Sequence, residues 1–200
     1  MINIAFSFAD AASRGFDLFG NMVKSGDFDR LLLRPRSTPL QLAGQELTLK
    51  RVGRLIQGLI VFIWANHQLE IIWTTSKAIL FFGAIFGGAC LFVGLLVIQA
   101  TIAFWTIESL ELMNTMTYGG VQTAQYPLSI YRNWFRKLFT YIVPWACVNY
   151  FPALAILERN DPLGFPVVLQ WIAPLICIAF LVGALQIWKI GVRHYRSTGS

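Results

Sequence analysis

The chain has 200 residues, 56% of them apolar and only 13% charged, with a net charge of +6. A soluble domain carries about a quarter charged residues, and the apolar residues here fall in blocks too long for a soluble core, which excludes an ordinary soluble fold. The composition predicts an all-α membrane bundle and leaves the placement of the basic residues to decide between membrane topology and nucleic acid.

The first twenty residues, MINIAFSFADAASRGFDLFG, are apolar enough to be helical but too short and too charged to span alone. They lack a basic n-region and Asp10 interrupts the run, so no cleavable signal is expected. An amphipathic segment in the interface and the end of a longer helix both fit. The next stretch, GDFDRLLLRPRSTPLQ at residues 26–41, mixes arginines with leucines and two prolines. Ser25, Gly26 and Asp27 read as a turn, with Asp27 expected to cap a short helix through Leu33 that Pro35 and Pro39 end. Leu31, Leu32 and Leu33 would give that helix an apolar face, and Arg30, Arg34 and Arg36 a basic rim. Docking in a groove of a soluble partner and lying on anionic headgroups fit this chemistry equally.

A membrane helix needs about 20 apolar residues to cross about 30 Å of hydrocarbon. Four segments are expected to do so. Residues 55–73 are the weakest, diluted by His67 and Glu70 at the outer end. Residues 78–107 carry no charge and are long enough to require tilt, a kink or close packing at Gly83, Gly87, Gly88 and Gly94. Residues 138–157 hold Pro144, Asn149 and Pro152 and read as a broken span. Residues 167–188 contain Pro174, which a membrane helix tolerates.

Four spans put both termini on one side. With them go Arg14, Lys24, Arg30, Arg34, Arg36, Lys50, Arg51, Arg54, Arg132, Arg136, Lys137, Lys189, Arg193 and Arg196, against Lys77 and Arg159 on the other. The positive-inside rule makes the richer side cytoplasmic. Topology thus explains the charge, and nucleic acid is excluded.

Catalytic chemistry is missing from the pattern. The three clean spans hold no Asp, Glu, Lys, Arg or His, and such groups at depth are what intramembrane enzymes and ion-coupled carriers display. There is no HExxH, GxSxG or Walker A motif, so any ATP site must belong to a partner, and no cofactor or metal is expected. Glu108 and Glu111 share a helix face and read as a solvated interface pair. His67 and His194 stand alone. Cys90, Cys147 and Cys177 read as reduced, small hydrophobes. Gly83 and Gly87 form a GxxxG pair that serves packing within the subunit or dimerisation, and the seven tryptophans suit an aromatic belt.

Four segments, GDFDRLLLRP, YPLSIYRNWFRKL, VPWACVNYFPALAIL and RHYRSTGS, resemble in sequence and order a family of bacterial ABC-transporter permeases of type 2. The resemblance covers nearly the whole chain. It implies a membrane subunit of an export system in the bacterial cytoplasmic membrane, with a separate ATP-binding subunit and a second, related permease half. Residues 27–39 would be the coupling element, with Asp27, Arg30, Leu32, Arg34 and Pro35 contacting the ATPase and Tyr126, Tyr131 and Arg132 making a second cytoplasmic contact. Residues 1–54 would then comprise the remnant of a preceding helix plus the coupling segment, and residues 55–200 the transmembrane domain with a cytoplasmic tail. Full-length members carry six spans where four are expected here, so a truncated product is one expectation. Transport would alternate access to a mostly apolar cavity. A non-transporting membrane scaffold or assembly subunit is the alternative.

Overall fold

The computed structural model describes residues 1–44, 52–105, 110–126 and 128–195. Among them every regular element is helical, as the composition predicts. Two helices form the axis: α7, Thr75–Ile102, and α11, Val167–His194, each of 28 residues and apolar enough to cross a membrane. At 1.5 Å per residue each is about 42 Å long. The Thr74 side chain accepts from the Lys77 amide to start α7. Lys77 in turn pairs with Glu158 at 2.8 Å, which fixes this end of the bundle.

The two helices lie parallel, because contacts advance along both together. Gly87 of α7 faces Pro174, Gly94 faces Phe180 and Leu181, and Gly191 of α11 faces Thr101 and Phe104. Gly83 also faces Pro174, so the GxxxG pair is used inside the subunit. The glycines of α7 serve close approach, and the helix runs unbroken through them. A Cβ built on Gly87 stands 2.8 Å from the Pro174 carbonyl oxygen and 2.9 Å from its Cα, backbone that cannot yield cheaply. Gly87→Ala is therefore expected to cost about 1–3 kcal/mol through overpacking, lowering the melting temperature by about 2–4 °C per kcal/mol. Gly183→Ala, with open space around its Cβ, should cause no loss in the same thermal-unfolding measurement.

Helix α1, Ile2–Ala12, belongs to the core rather than the bilayer surface. Seven of its residues are buried, Ala5 meets Gly88, and the Phe6 ring stands edge-on to Phe92 at 4.9 Å. After the segment of residues 14–43, described below, helix α6, Val52–Leu69, runs alongside α1. Its Gly58 lies against Ile4, and Phe62 stacks on Phe81 at 4.5 Å. The apolar part of α6, Leu55–Leu69, is shorter than a membrane span. Of the four expected spans, α7 and α11 thus have full span length, while residues 55–73 supply a shorter helix.

The third expected span is bent. Its limbs, Asn133–Ile142 and Trp145–Ile156, diverge by 72°. The first comprises α9, Asn133–Lys137, and a π-helical turn; the second comprises a 3-10 turn and α10, Tyr150–Ile156. Pro144 causes the break: it lacks an N–H and pushes the residue before it out of the helical region, and Val143 is extended at φ −116°. The bend rests on the middle of α7, with Trp145 5.2 Å from Phe92 and Val148 on Gly88. The far end, Ile156, clusters with Leu80 and Phe81 near the start of α7.

The ascent from the C-terminal end of α7 is made instead by α8, Leu110–Thr123. Tyr118 stands 5.6 Å from Phe6, Gly120 lies under Trp145, and Gln125 just beyond the helix donates to Asn3 at 3.3 Å. These contacts carry the chain past the middle of α7 to the level where α1 begins.

Candidate coupling site

Between α1 and α6 the chain builds an arm from four short helices: α2, Arg14–Asp17; α3, Phe19–Ser25; α4, Asp27–Leu32; and α5, Thr38–Ala43. The junction of α3 and α4 is Gly26 at φ 77°, the left-handed conformation that glycine adopts without a Cβ penalty. Asp27 sits inside the first turn of α4, where a carboxylate suits the helix dipole, and Gly26 holds the capping position. Asp27 accepts a hydrogen bond from Ser25 Oγ at 2.6 Å and pairs with Arg30 at 3.5 Å on the surface. Pro39 does not end α4; it opens α5, where its missing N–H costs nothing.

The apolar face of α4 differs from the expected one. Phe28 and Leu31 are buried, while Leu32 and Leu33 are exposed, Leu33 by 86%. Phe28 and Leu31 stand three apart and share one side of the helix; the next two residues are carried round to the other. The buried side docks on the bundle's own aromatic hub. Phe19 stands 5.0 Å from Phe28 and 5.0 Å from Trp188, mostly edge-on. Phe16 lies 5.8 Å from Trp188, Phe104 lies 5.3 Å from it, and Tyr195 lies 4.9 Å from Phe28. The arm is thereby fixed to the C-terminal ends of both long helices. Trp188 Nε1 also donates to Thr38 Oγ1 at 3.0 Å, joining α11 to the start of α5. The Tyr195 phenol is pushed above its ordinary pKa by burial and by the negative charge of the nearby Asp29 carboxylate.

The turn between α4 and α5 is closed from behind. Gln41 Nε2 donates to the Leu31 carbonyl at 3.2 Å and to the Arg36 carbonyl at 2.9 Å. Gly15 lies directly against the backbone of Leu42, leaving no room for a Cβ. What faces outward is a tip of Leu32, Leu33, Arg34, Pro35 and Arg36, all exposed. Arg30 stands beside it, its side chain 83% exposed.

Tyr126, Tyr131 and Arg132 are not brought to this tip. Tyr126 is exposed, and the Tyr131 hydroxyl donates to the Thr123 carbonyl at 3.1 Å. Tyr131 also stacks towards Phe135 and Phe139 beside the bend. Arg136, four residues past Arg132, is close enough to act electrostatically on Tyr150, whose hydroxyl donates to Asp161 at 2.6 Å. Asp161 lies in the turn leading to the start of α11, so this group occupies the half of the bundle opposite the arm. The reason is α8, which lifts the loop away from the end where α7 stops. Residues 45–51, Glu108 and the tail from Arg196 lie outside the described residues, as does the side chain of Glu111.

The hub was missed in the sequence. Trp188 reads there as one more belt tryptophan, and Phe16, Phe19 and Phe28 are spread over three short helices. Their spacings of three and nine carry no single periodic signal.

The model of one family, described as ABC-2 family transporter protein, matches residues 2–199. No curated protein matches the chain, and no solved structure matches it. With the family match spanning nearly every residue of an all-helical chain that carries two membrane-length helices, the protein belongs to the ABC-2 family of transporter proteins and is a membrane permease component of an ABC system.

Proposed function

We propose that this chain is one permease half of an ATP-driven exporter and that a separate ATP-binding subunit grips it at the tip of residues 32–36. The observation that carries this reading is the two-sided construction of the arm. Its outer side offers exposed arginines beside exposed leucines, suited to a soluble protein surface. Its inner side is bonded to α11 through Trp188 and Thr38 and packed on the ends of both long helices. A push on the tip therefore reaches α7 and α11 without crossing a flexible link. A second, related permease half completes the pathway.

The tip faces the cytoplasm in this reading. Assigning Arg132, Arg136 and Lys137 to the opposite side leaves eleven basic residues against five, still the asymmetry of the positive-inside rule. The test is purification of the chain from its native membrane in mild detergent. The complex is expected to contain a subunit that hydrolyses ATP and a second permease chain; an intact complex without ATP hydrolysis contradicts the proposal.

A further inference from the structure

One flank of the bundle carries polar side chains at a depth where lipid cannot receive them. Asn3 of α1, Gln57 of α6, and Tyr118, Gln122 and Gln125 on and just after α8 line a cleft of about 480 Å³. Contacts fix its depth. Gly58, next to Gln57, packs on Ile4; Tyr118 stands 5.6 Å from Phe6; and Phe6 stands 4.9 Å from Phe92, near the middle of α7. Gln57, Tyr118, Gln122 and Gln125 are all exposed.

A carboxamide turned to hydrocarbon at this depth is strongly disfavoured. Elsewhere on the bundle, exposed positions in the middle of the long helices include the apolar Phe82 and Phe86 of α7 and Leu175 and Val182 of α11. The carboxamide flank therefore faces something other than lipid. A mostly apolar pathway, expected from the sequence, is not what this flank presents.

We propose that the cleft is a wall of the transport pathway, shielded from lipid, and a binding site for an uncharged solute rich in hydroxyl or amide groups. The proposal rests on the transport reading above. A carboxamide offers a donor and an acceptor in one group, so Asn3, Gln57, Gln122 and Gln125 match ligands that need both. Gln125 already donates to Asn3 at 3.3 Å, showing that these groups reach one another across the cleft. No Asp, Glu, Lys, Arg or His is among the described residues lining it. A charged solute entering would lose hydration and gain no counter-charge.

The test is thiol modification of the full chain in its native membrane complex by three methanethiosulfonates of similar size: neutral, cationic and anionic. The unsubstituted chain, whose cysteines are free and buried or half-buried, supplies the background. With each rate divided by that reagent's rate at an accessible reference thiol, the neutral reagent is expected to react about tenfold or more faster than either charged one at Gln122→Cys and Gln57→Cys, because only the charged reagents lose hydration uncompensated. Asn21→Cys, exposed on the arm outside the tip, should react with all three and supplies each reagent's reference rate, and Leu175→Cys should react with none. No reaction at either glutamine position, or charged reagents matching the neutral one there, overturns the proposal. The experiment needs neither nucleotide nor a gripping subunit. Loss of ATPase binding would leave its result standing, and failure here would leave the ATPase reading standing.

Discussion

Arg34→Glu is expected to release the ATP-binding subunit while leaving the permease folded. Arg34 is exposed at the tip, so reversing its charge removes nothing from the core. An interface built to meet a basic patch opposes an introduced carboxylate, and like charges brought together across an interface cost several kcal/mol. Such a penalty weakens association about 100-fold or more. Arg34→Lys keeps the charge but not the planar fork and should retain most of the binding. Co-purification of ATPase activity with each variant reads the effect, and thermal unfolding of the same samples should show equal melting temperatures. Undiminished ATPase recovery with Arg34→Glu counts against the tip as the gripping surface.

Trp188→Ala should produce the complementary failure. Trp188 is 1% exposed and meets Phe16, Phe19, Phe28 and Phe104 at once. Removing so large a buried ring costs about 3–5 kcal/mol, a large share of the stability of any domain. The tip itself keeps its exposed residues, so the ATPase subunit still binds, but the arm is no longer fixed to α11. Hydrolysis without transport is the expected signature, together with a lowered melting temperature. Trp188→Phe preserves the ring contacts and loses the hydrogen bond to Thr38, about 1 kcal/mol, and should restore most of the coupling. A Trp188→Ala protein that transports normally at its full melting temperature would remove the hub from the mechanism.

These two variants divide the site into parts that differ in how legible they are from sequence. The tip was legible because its signals are local: prolines, arginines and leucines within a dozen residues. Its buried face was harder to read, since three consecutive leucines do not say which turns inward until a hub exists to receive it. The long helices were legible from uninterrupted apolar runs, and the break at Pro144 from proline chemistry. Helix α8 was not, because LELMNTMTYGGVQT is too polar for a hydropathy reading to lift into the bundle. Tyr126, Tyr131 and Arg132, expected as a second cytoplasmic contact, follow α8, and Tyr131 packs beside the bend on Phe135 and Phe139. Gln122, one of the polar residues that hid α8, also opens onto the cleft.

The account turns on which side of the membrane the tip faces. Leu33→Cys, the most exposed apolar position of the tip, can be treated with a membrane-impermeant maleimide in spheroplasts and in inverted membrane vesicles stripped of the ATP-binding subunit by a urea wash. Labelling in inverted vesicles and silence in intact spheroplasts is the predicted result. Labelling in spheroplasts with silence in inverted vesicles would place the tip beyond reach of any ATP-binding subunit and contradict the account.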